Sequence, residues 1–378
     1  MRAIKLAFVA TIVGFVLLTV VQSLTPFLPI APLNEYRRPA PAPDVVGTLV
    51  HGDGRLAYGI NRWFDDRIGL RPFLTRLANQ IDYSVFGYSR KVLIGRDGWL
   101  FERGTIDGLV FNERTAQDIE LDRQKIDALA AFLHRRNIRL VVISTPAKDA
   151  TLSRFLPADV PRLPPIRRFE KLREILKAGD GKGWLYIDSR DVLDAAHIGE
   201  NDLYYHTDPH LTSEANEVIA RALLDRIAQA EGLAWRWQPR LEHVRERIDT
   251  GSSLRYLSVF SDVSETSSVP KHETRYSPDH PLPGESFVSS PPEPFEFIFH
   301  NSNPNARLPP TVVYGSSFID LFLVFGVYSN FKDVYRVRHG TGKLEPTLRA
   351  IPPGTRYFVY QFWEVHGTVL RDATIPPP

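Results

Sequence analysis

The sequence of 378 residues contains no cysteine, which excludes disulfide bonds, thiolate nucleophiles and thiolate metal sites. It has no excess of one charge either, because 46 Lys and Arg residues stand against 44 Asp and Glu residues. A chain without a net positive field is not expected to bind nucleic acid. A Gly-rich phosphate loop is missing as well. The 11 histidines include no helical H-x-x-x-H pair, and we predict neither a metal site nor a cofactor.

Residues 1–30 are predicted to form a membrane anchor. Arg2 and Lys5 precede an almost unbroken apolar run from Leu6 to Val21, and apolar residues resume after Ser23. This segment can cross a bilayer, and the lack of a small-x-small cleavage site favours a retained signal anchor over a removed signal peptide. The positive flank keeps the N-terminus in the cytoplasm. We therefore predict a single-pass bacterial inner-membrane protein whose remaining chain lies in the periplasm, where a long chain needs no disulfides.

The exported part divides by composition. Residues 31–58 are rich in Pro and Ala and are predicted to form a periplasmic stalk. Residues 59–365 form the predicted catalytic domain, and residues 366–378 a C-terminal tail. Residues 235–308, rich in Ser, Pro, Glu and His, interrupt the domain as a long insertion that can carry short strands. A segment of this kind is either a functional lid or disordered, and the sequence leaves both open.

Helix and strand patterns alternate along the domain. Apolar residues at helical spacing predict helices at 59–86, 119–136, 168–176, 213–228 and 318–325. Short apolar runs predict strands at 138–143, 184–187, 311–314 and 357–360, and residues 92–101 alternate as a hairpin. The helix predicted at 119–136 is expected to have its N-terminus near Thr115. The alternation predicts an α/β fold with a mostly parallel central sheet covered on both faces.

Two short motifs supply the groups that activate a serine for acyl transfer. Asp208-Pro209-His210 provides a carboxylate and an imidazole that point the same way in an extended segment. Ser317 lies just after a predicted strand, in a turn that begins at Gly315. In parallel sheets, ligands bind at this carboxyl end of the strands. Backbone N–H groups in such a turn can stabilise an oxyanion. The alternatives are that Ser316 or Ser317 only caps a helix, and that the other two residues are ordinary loop residues.

A collinear series of motifs extends this pattern over residues 60–365. In chain order these are Phe64 with Gly69 and Arg71, Phe86-Gly87, Gly95 to Phe101, Pro146-Ala147-Lys148, Asp188, Tyr204 to His210, Gly315 to Phe318, and Tyr360 to Glu364. The series resembles the alginate O-acetyltransferase family, the AlgJ/AlgX-like proteins of the SGNH-hydrolase kind. The resemblance implies an SGNH-hydrolase-like α/β/α sandwich, preceded here by the transmembrane anchor.

The resemblance also implies roles for individual residues. Ser317 is expected to be the nucleophile, His210 the general base and Asp208 the carboxylate that orients it. Supporting or substrate-binding roles at the same pocket are assigned to Lys148, Tyr205, Gly315 and Glu364. Lys148 and Glu364 also fit simple surface or paired charges.

The implied activity is transfer of acetyl groups onto an exported polysaccharide through an acetyl-serine intermediate. The implied partners are a membrane-bound O-acyltransferase-type donor protein, the polysaccharide acceptor and other exopolysaccharide assembly proteins. Two alternatives stay open: a carbohydrate acetylesterase with the same triad, and a non-catalytic polysaccharide-binding assembly protein on a degenerate hydrolase fold. In the last case tryptophans such as Trp235 could stack on sugars.

Overall fold

The computed structural model describes residues 2–33, 38–47, 56–111, 116–160, 168–239, 241–304, 306–340, 343–366, 370 and 373–376. Thr115 and parts of the predicted stalk and tail lie outside the described residues. The chain divides into two compact units, one of Met1–Val92 with Ser252–Val263 and the other of Leu93–Gly251 with Ser264–Pro378. The predicted boundaries of stalk, domain and tail stay predictions.

The first unit is helical. It contains α1 (Arg2–Leu24), α2 (Leu56–Asp65), α3 (Arg71–Phe86) and a short helix Ser252–Leu257. By length and composition α1 can cross a membrane, with a mean hydropathy of 2.5, which is consistent with the predicted anchor. The predicted helix 59–86 is instead two helices, because Pro72 favours a helix start and Gly69 lies in the turn before it. Gly87, with φ of 59°, ends α3 in the left-handed conformation.

The second unit is built on a seven-stranded sheet and two small hairpins. Its strands are β1 (Val92–Ile94), β2 (Leu100–Glu102), β3 (Arg139–Thr145), β4 (Leu185–Asp188), β5 (His243–Ile248), β6 (Glu265–Pro270), β7 (Glu285–Val288), β8 (Phe297–Asn301), β9 (Thr311–Gly315), β10 (Asp333–Arg338) and β11 (Tyr357–Trp363). The order in the large sheet is β4-β3-β11-β9-β10-β8-β7, while β1 pairs with β2 and β5 with β6. The predicted hairpin at 92–101 is confirmed.

Five neighbouring strands of the large sheet, from β4 to β10, run parallel, and β8 and β7 add an antiparallel edge. The helices of this unit are α4 (Arg103–Phe111), α5 (Ala116–His134), α6 (Lys148–Thr151), α7 (Arg168–Gly179), α8 (Ser189–Ala195), α9 (Glu200–Leu203), α10 (Ser213–Ala230), α11 (Leu321–Val324) and α12 (Leu344–Arg349). The mostly parallel α/β sheet is thus confirmed. Its parallel strands end together at one edge, which carries the candidate site.

The central strands are buried on both faces, as their apolar runs predict. Alternate residues of β3 serve the two layers: Val141 and Ile143 share a core with Leu223 of α10, while Leu140 and Val142 share the other core with Leu129 of α5. Helices therefore cover both faces of the sheet, and the α/β/α sandwich is confirmed.

Two features differ from the sequence-based prediction. The predicted helix 318–325 is wrong in extent, because a 3₁₀ turn at Ser317–Ile319 is followed by the single-turn helix α11. Strand β10 was not predicted, since its sequence DVYRVR places two arginines in what is an interior strand. The predicted insertion 235–308 carries four strands, β5 to β8.

The buried face of α10 is expected to dominate the stability of the second unit. Leu224 is fully buried, so Leu224→Ala should lower the free energy of unfolding by roughly 2–5 kcal/mol through lost contacts and a cavity. Denaturant unfolding of the full chain in detergent, followed by circular dichroism, measures the change. The matched control is Glu174→Ala on α7, where the glutamate side chain is 70% exposed, and this variant should stay within about 0.5 kcal/mol of wild type. Equal midpoints for both variants would contradict the packing described.

Candidate active site

Asp208, His210 and Ser317 form a continuous series of hydrogen bonds. The imidazole Nε2 of His210 lies 2.7 Å from Ser317 Oγ, and its Nδ1 lies 2.5 Å from Asp208 Oδ1. The same carboxylate oxygen accepts the backbone N–H of His210 at 2.9 Å. Asp208 therefore holds both the backbone and the ring of His210, and the ring presents its other nitrogen to the serine hydroxyl.

Gly315 permits the sharp turn between β9 and Ser317. A Cβ atom at this position would lie 2.5 Å from Cδ1 of Ile319 and 3.1 Å from Cβ of Gln361. Such distances are too short for any larger residue without movement of the neighbours. Gly315 thus lets the turn lie close against β11, and its predicted supporting role takes the form of close backbone packing.

The neighbouring serine performs the capping role. Ser316 Oγ accepts the backbone N–H of Phe318 at 3.3 Å, and Gln361 Oε1 accepts both the N–H and the hydroxyl of Ser316 at 2.8 Å each. Gln361 is fully buried and donates in turn to Thr145 Oγ1 at 3.0 Å. Because Ser316 caps the turn, the hydroxyl of Ser317 is left to face His210.

The backbone N–H of Ser317 is a candidate oxyanion donor. Within the described part of the chain this N–H has no hydrogen-bond acceptor. It lies at the start of the 3₁₀ turn Ser317–Ile319, on the same residue as the hydroxyl. An N–H group beside the attacking oxygen can stabilise the negative charge of a tetrahedral intermediate.

The charge of Asp208 decides the protonation of His210. Burial of the ring lowers the pKa of His210, whereas the hydrogen bond and the negative charge of Asp208 raise it, and the net pKa lies above the ordinary value for histidine. A raised pKa makes the ring a stronger base. It also means that the neutral, proton-accepting form is lost as the pH falls through this value.

Lys148 holds the loop that carries Asp208 and His210. Its ammonium group is buried, and it donates to the carbonyl oxygens of Leu100, His206 and Asp208 at 2.7, 2.9 and 3.2 Å. Burial lowers the pKa of Lys148 to about 8. The structure thus places Lys148 behind the loop, where two of its hydrogen bonds fix the backbone on both sides of Thr207 and the third joins the loop to β2.

A carboxylate from the predicted insertion holds the same loop from another side. Glu265 of β6 accepts the backbone N–H groups of His206 and Thr207 at 2.8 and 2.9 Å, and also the hydroxyl of Thr207. The ring of His206 stacks on Trp99 at 3.8 Å between centroids. The loop before Asp208 is therefore fixed by charge-assisted hydrogen bonds and by ring packing.

Tyr205 and Glu364 support the backbone around the triad. The backbone N–H of Tyr205 donates to the carbonyl oxygen of His210 at 3.2 Å. The hydroxyl of Tyr205 lies 3.0 Å from Ser213 Oγ at the start of α10. One carboxylate oxygen of Glu364, just after β11, accepts the backbone N–H of Ala147 at 2.8 Å. Both residues support the backbone at the carboxyl edge of the sheet. Asp188, which ends β4, pairs with Arg173 at 2.7 Å, away from the triad.

The sequence did not indicate Arg336 of β10, which forms hydrogen bonds to the turn that carries Ser317. Its guanidinium is 1% exposed and donates to the carbonyl oxygens of Gly315 and Ser316 at 2.9 and 3.0 Å. It also donates to Asp320 Oδ1 at 3.1 Å. Arginine is suited to this task because its planar donors reach several acceptors at once. An arginine within an alternating strand pattern carries no signal that it points inward.

The raised pKa of His210 can be tested directly. In the D208N variant the lowering effect of burial remains while the carboxylate charge is lost, so the pKa of His210 should fall below its wild-type value. Imidazole titration by NMR on histidine-labelled protein measures both values, with His210→Ala assigning the signal. The other histidine signals are the internal control. An unchanged pKa in D208N would contradict the assigned role of Asp208.

The role of Lys148 predicts a local and a global effect. Lys148→Met removes the ammonium donor from three carbonyl oxygens, of which that of His206 keeps the backbone N–H of Leu100 at 2.9 Å. Each buried group left unsatisfied costs roughly 1–3 kcal/mol. We expect a lower free energy of unfolding and faster amide exchange at His206 to His210. The matched control is Lys171→Met, whose side chain is 46% exposed. Unaltered exchange in the loop would show that Lys148 does not hold it.

Comparison with known proteins shows which proteins the chain is similar to. Residues 92–279 match the family model described as SGNH hydrolase-like domain, acetyltransferase AlgX. The chain is 27% identical over 210 residues to the probable alginate O-acetylase AlgJ of Pseudomonas aeruginosa, covering 54% of this chain and 51% of that protein. It is 26% identical over 177 residues to the same-named protein of Azotobacter vinelandii, covering 46% and 44%. The chain thus spans about half the length of the curated relatives it matches.

The fold is also similar to a solved structure. Bacillus cereus PatB1 with a sulfonyl adduct superposes with a TM-score of 0.54 at 12% identity, covering 76% of this chain and 100% of that one. At such low identity the likeness concerns the fold alone. The family match and the curated relatives together show that this chain is similar to AlgJ/AlgX-like proteins, through the SGNH hydrolase-like domain that residues 92–279 match.

Proposed function

We propose that this chain is a periplasmic O-acetyltransferase that moves acetyl groups onto an exported polysaccharide through Ser317, His210 and Asp208. The observation that carries the proposal is the series of hydrogen bonds from Asp208 through His210 to the Ser317 hydroxyl. The family supports acyl chemistry, since its description names an acetyltransferase and the curated relatives are named probable alginate O-acetylases.

In the first half-reaction, Ser317 Oγ attacks the carbonyl carbon of the acetyl donor while His210 Nε2 takes the hydroxyl proton. Asp208 stabilises the imidazolium that forms, and the N–H of Ser317 stabilises the oxyanion. Collapse of the tetrahedral intermediate breaks the bond to the leaving group, which receives the proton from His210. The acetyl group is then esterified to Ser317.

In the second half-reaction, a sugar hydroxyl of the acceptor takes the place of the leaving group. His210 accepts the proton of this hydroxyl as its oxygen attacks the acetyl-serine carbonyl. The Ser317 oxygen leaves with the proton that His210 returns, and the acetylated sugar is released. Water in the same position would give acetate and an esterase, so the acceptor decides between the two reactions.

The location and partners of the proposed enzyme follow from its N-terminal segment and its relatives. An anchor formed by α1 would hold the catalytic unit beside the inner membrane on the periplasmic side. A donor of the membrane-bound O-acyltransferase type could then pass acetyl groups to Ser317. The name of the relatives, probable alginate O-acetylase, supports alginate or a similar exopolysaccharide as acceptor. Other exopolysaccharide assembly proteins are proposed as further partners.

The proposal predicts that a sulfonyl fluoride labels Ser317, as sulfonyl reagents react with activated serines. Intact-mass and peptide mass spectrometry of the full chain in detergent should show one adduct, on Ser317. Labelling should be lost in Ser317→Ala and reduced at least a hundredfold in His210→Ala, in line with the usual contribution of a general base. Ser286→Ala, an exposed serine on β7, is the matched control and should label normally.

Transfer is then separated from hydrolysis with 4-nitrophenyl acetate as donor and uronate oligosaccharides as acceptors. Acetylated oligosaccharide that depends on Ser317 supports the transferase. Release of acetate alone, unchanged by acceptor, supports the esterase instead. A folded wild-type chain whose Ser317 does not react with the sulfonyl reagent would reject both enzymes and favour the non-catalytic assembly protein.

A further inference from the structure

We propose that α2 and α3 form a surface that lies on an anionic phospholipid bilayer, at the point where α1 leaves the membrane. This surface, named here the interfacial pair, is independent of the acyl chemistry. Its occupant is the lipid headgroup and upper acyl region, and the inference rests on three observations: an exposed apolar stripe, its bonds to the end of α1, and its charge.

The apolar stripe runs along α3. Phe73, Leu77, Ile81 and Val85 are 42, 40, 47 and 68% exposed, although large apolar residues usually lie inside. Spacing of four residues places them along one side of the helix. Contiguous exposed apolar surface on a soluble domain marks an interaction site. A stripe of this form fits a helix that lies in the plane of a membrane interface.

Further large apolar and aromatic residues of the interfacial pair and the segment that follows it are exposed. Tyr58 and Phe64 of α2 are 63 and 58% exposed, and Phe86 and Tyr88 at the end of α3 are 69 and 45% exposed. Aromatic side chains are enriched at membrane–water interfaces because they have an apolar body and, in tyrosine, a polar tip. The exposed set is therefore rich in the residue types that this environment favours.

The turn between α2 and α3 is bonded to the end of α1. The N–H of Gly69 donates to Ser23 Oγ at 2.8 Å, and a Cβ at Gly69 would lie 2.5 Å from the carbonyl carbon of Gln22. Arg76 of α3 donates to the carbonyl oxygens of Ala31 and Pro32 at 2.6 and 2.8 Å. The interfacial pair is thus held against the residues that follow the membrane-crossing helix.

The hydrogen bonds to the end of α1 set the depth of the interfacial pair in the membrane. The 23 residues of α1 span about 35 Å at a helical rise of ~1.5 Å per residue, slightly more than the ~30 Å hydrocarbon core. Ser23 therefore lies at the boundary of the core, and the exposed Phe27 and Leu28 follow it. A turn bonded to Ser23 lies at the headgroup level, where a lipid surface is the nearest apolar phase.

The net charge of the segment that contains the interfacial pair indicates which kind of lipid it binds. Residues 56–91 contain six Lys and Arg and three Asp and Glu. A basic residue near an anionic membrane surface contributes about 1 kcal/mol of attraction. The excess of basic residues therefore favours a bilayer that contains phosphatidylglycerol over one made of neutral lipid alone.

The absence of native cysteine makes the test direct, because a single introduced cysteine is the only thiol in the chain. Leu77→Cys and Ile81→Cys are labelled with an environment-sensitive NBD fluorophore in the full chain, reconstituted into phosphatidylcholine vesicles with a minority of phosphatidylglycerol. Nitroxide-labelled lipid then quenches any label within the bilayer. The matched control is Asp82→Cys, half-buried on another side of α3.

We expect quenching at positions 77 and 81 to exceed that at position 82 at least threefold, and to weaken when phosphatidylglycerol is omitted. Val85→Cys is a second stripe position if either first variant fails to fold. Equal quenching at stripe and control positions would overturn the proposal. A second outcome would also overturn the proposal. If labels on the stripe are not quenched in vesicles but are protected from solvent in native membranes, a protein partner covers the stripe. Quenching that is the same without phosphatidylglycerol would overturn the choice of anionic lipid.

Discussion

The geometry of the candidate site depends on one buried ammonium group. Lys148 sits behind the loop that carries Asp208 and His210 and donates to three of the surrounding carbonyl oxygens. A buried charge is costly unless its donors are satisfied, and here all three are. Two of these oxygens, on His206 and Asp208, lie in a loop outside any helix or strand, and the third, on Leu100, lies in β2. The same loop is also held by Glu265, by the stacking of His206 on Trp99 and by the backbone N–H of Leu100, which donates to His206.

The serine turn is held in the same manner by side chains from neighbouring strands. Arg336 binds its carbonyl oxygens from β10, and Gln361 binds Ser316 from β11. Asp320 connects to both Arg336 and Arg338, and Glu296 pairs with Arg338 at 3.0 Å. The loop with Asp208 and His210 and the turn with Ser317 are thus held by charge-assisted hydrogen bonds from neighbouring elements. These bonds keep the hydroxyl and the imidazole within reaction distance at little entropic cost.

Much of this architecture could be predicted from the sequence because it depends on local patterns. The apolar runs of β3, β9 and β11 indicated buried parallel strands, and the spacing of Asp208 and His210 indicated that they share one side of a loop. That His210 lies within hydrogen-bond distance of both Asp208 and Ser317 agrees with the expectation, while the catalytic roles of the three residues stay predictions.

The remaining features depend on contacts between distant segments. Arg336 and Glu265 look like surface charges in sequence, because nothing in their neighbours reveals that the chain folds over them. The 3₁₀ turn after Gly315 stands where a longer helix was predicted, and Ser316 before it is hydrogen-bonded to Gln361, far along the chain. Local periodicity carries no information about such partners, and so it could place the residues of the site but not the residues that hold them.

The attachment of Glu265 has a consequence for how this enzyme fold could diversify. Strand β6 lies inside the predicted insertion, yet the carboxylate of its first residue, Glu265, accepts hydrogen bonds from the two residues directly before Asp208. A protein of this fold that lengthens or replaces the segment must therefore supply another acceptor for the same two amide groups. The segment is free to change only as far as an acceptor at this position is kept.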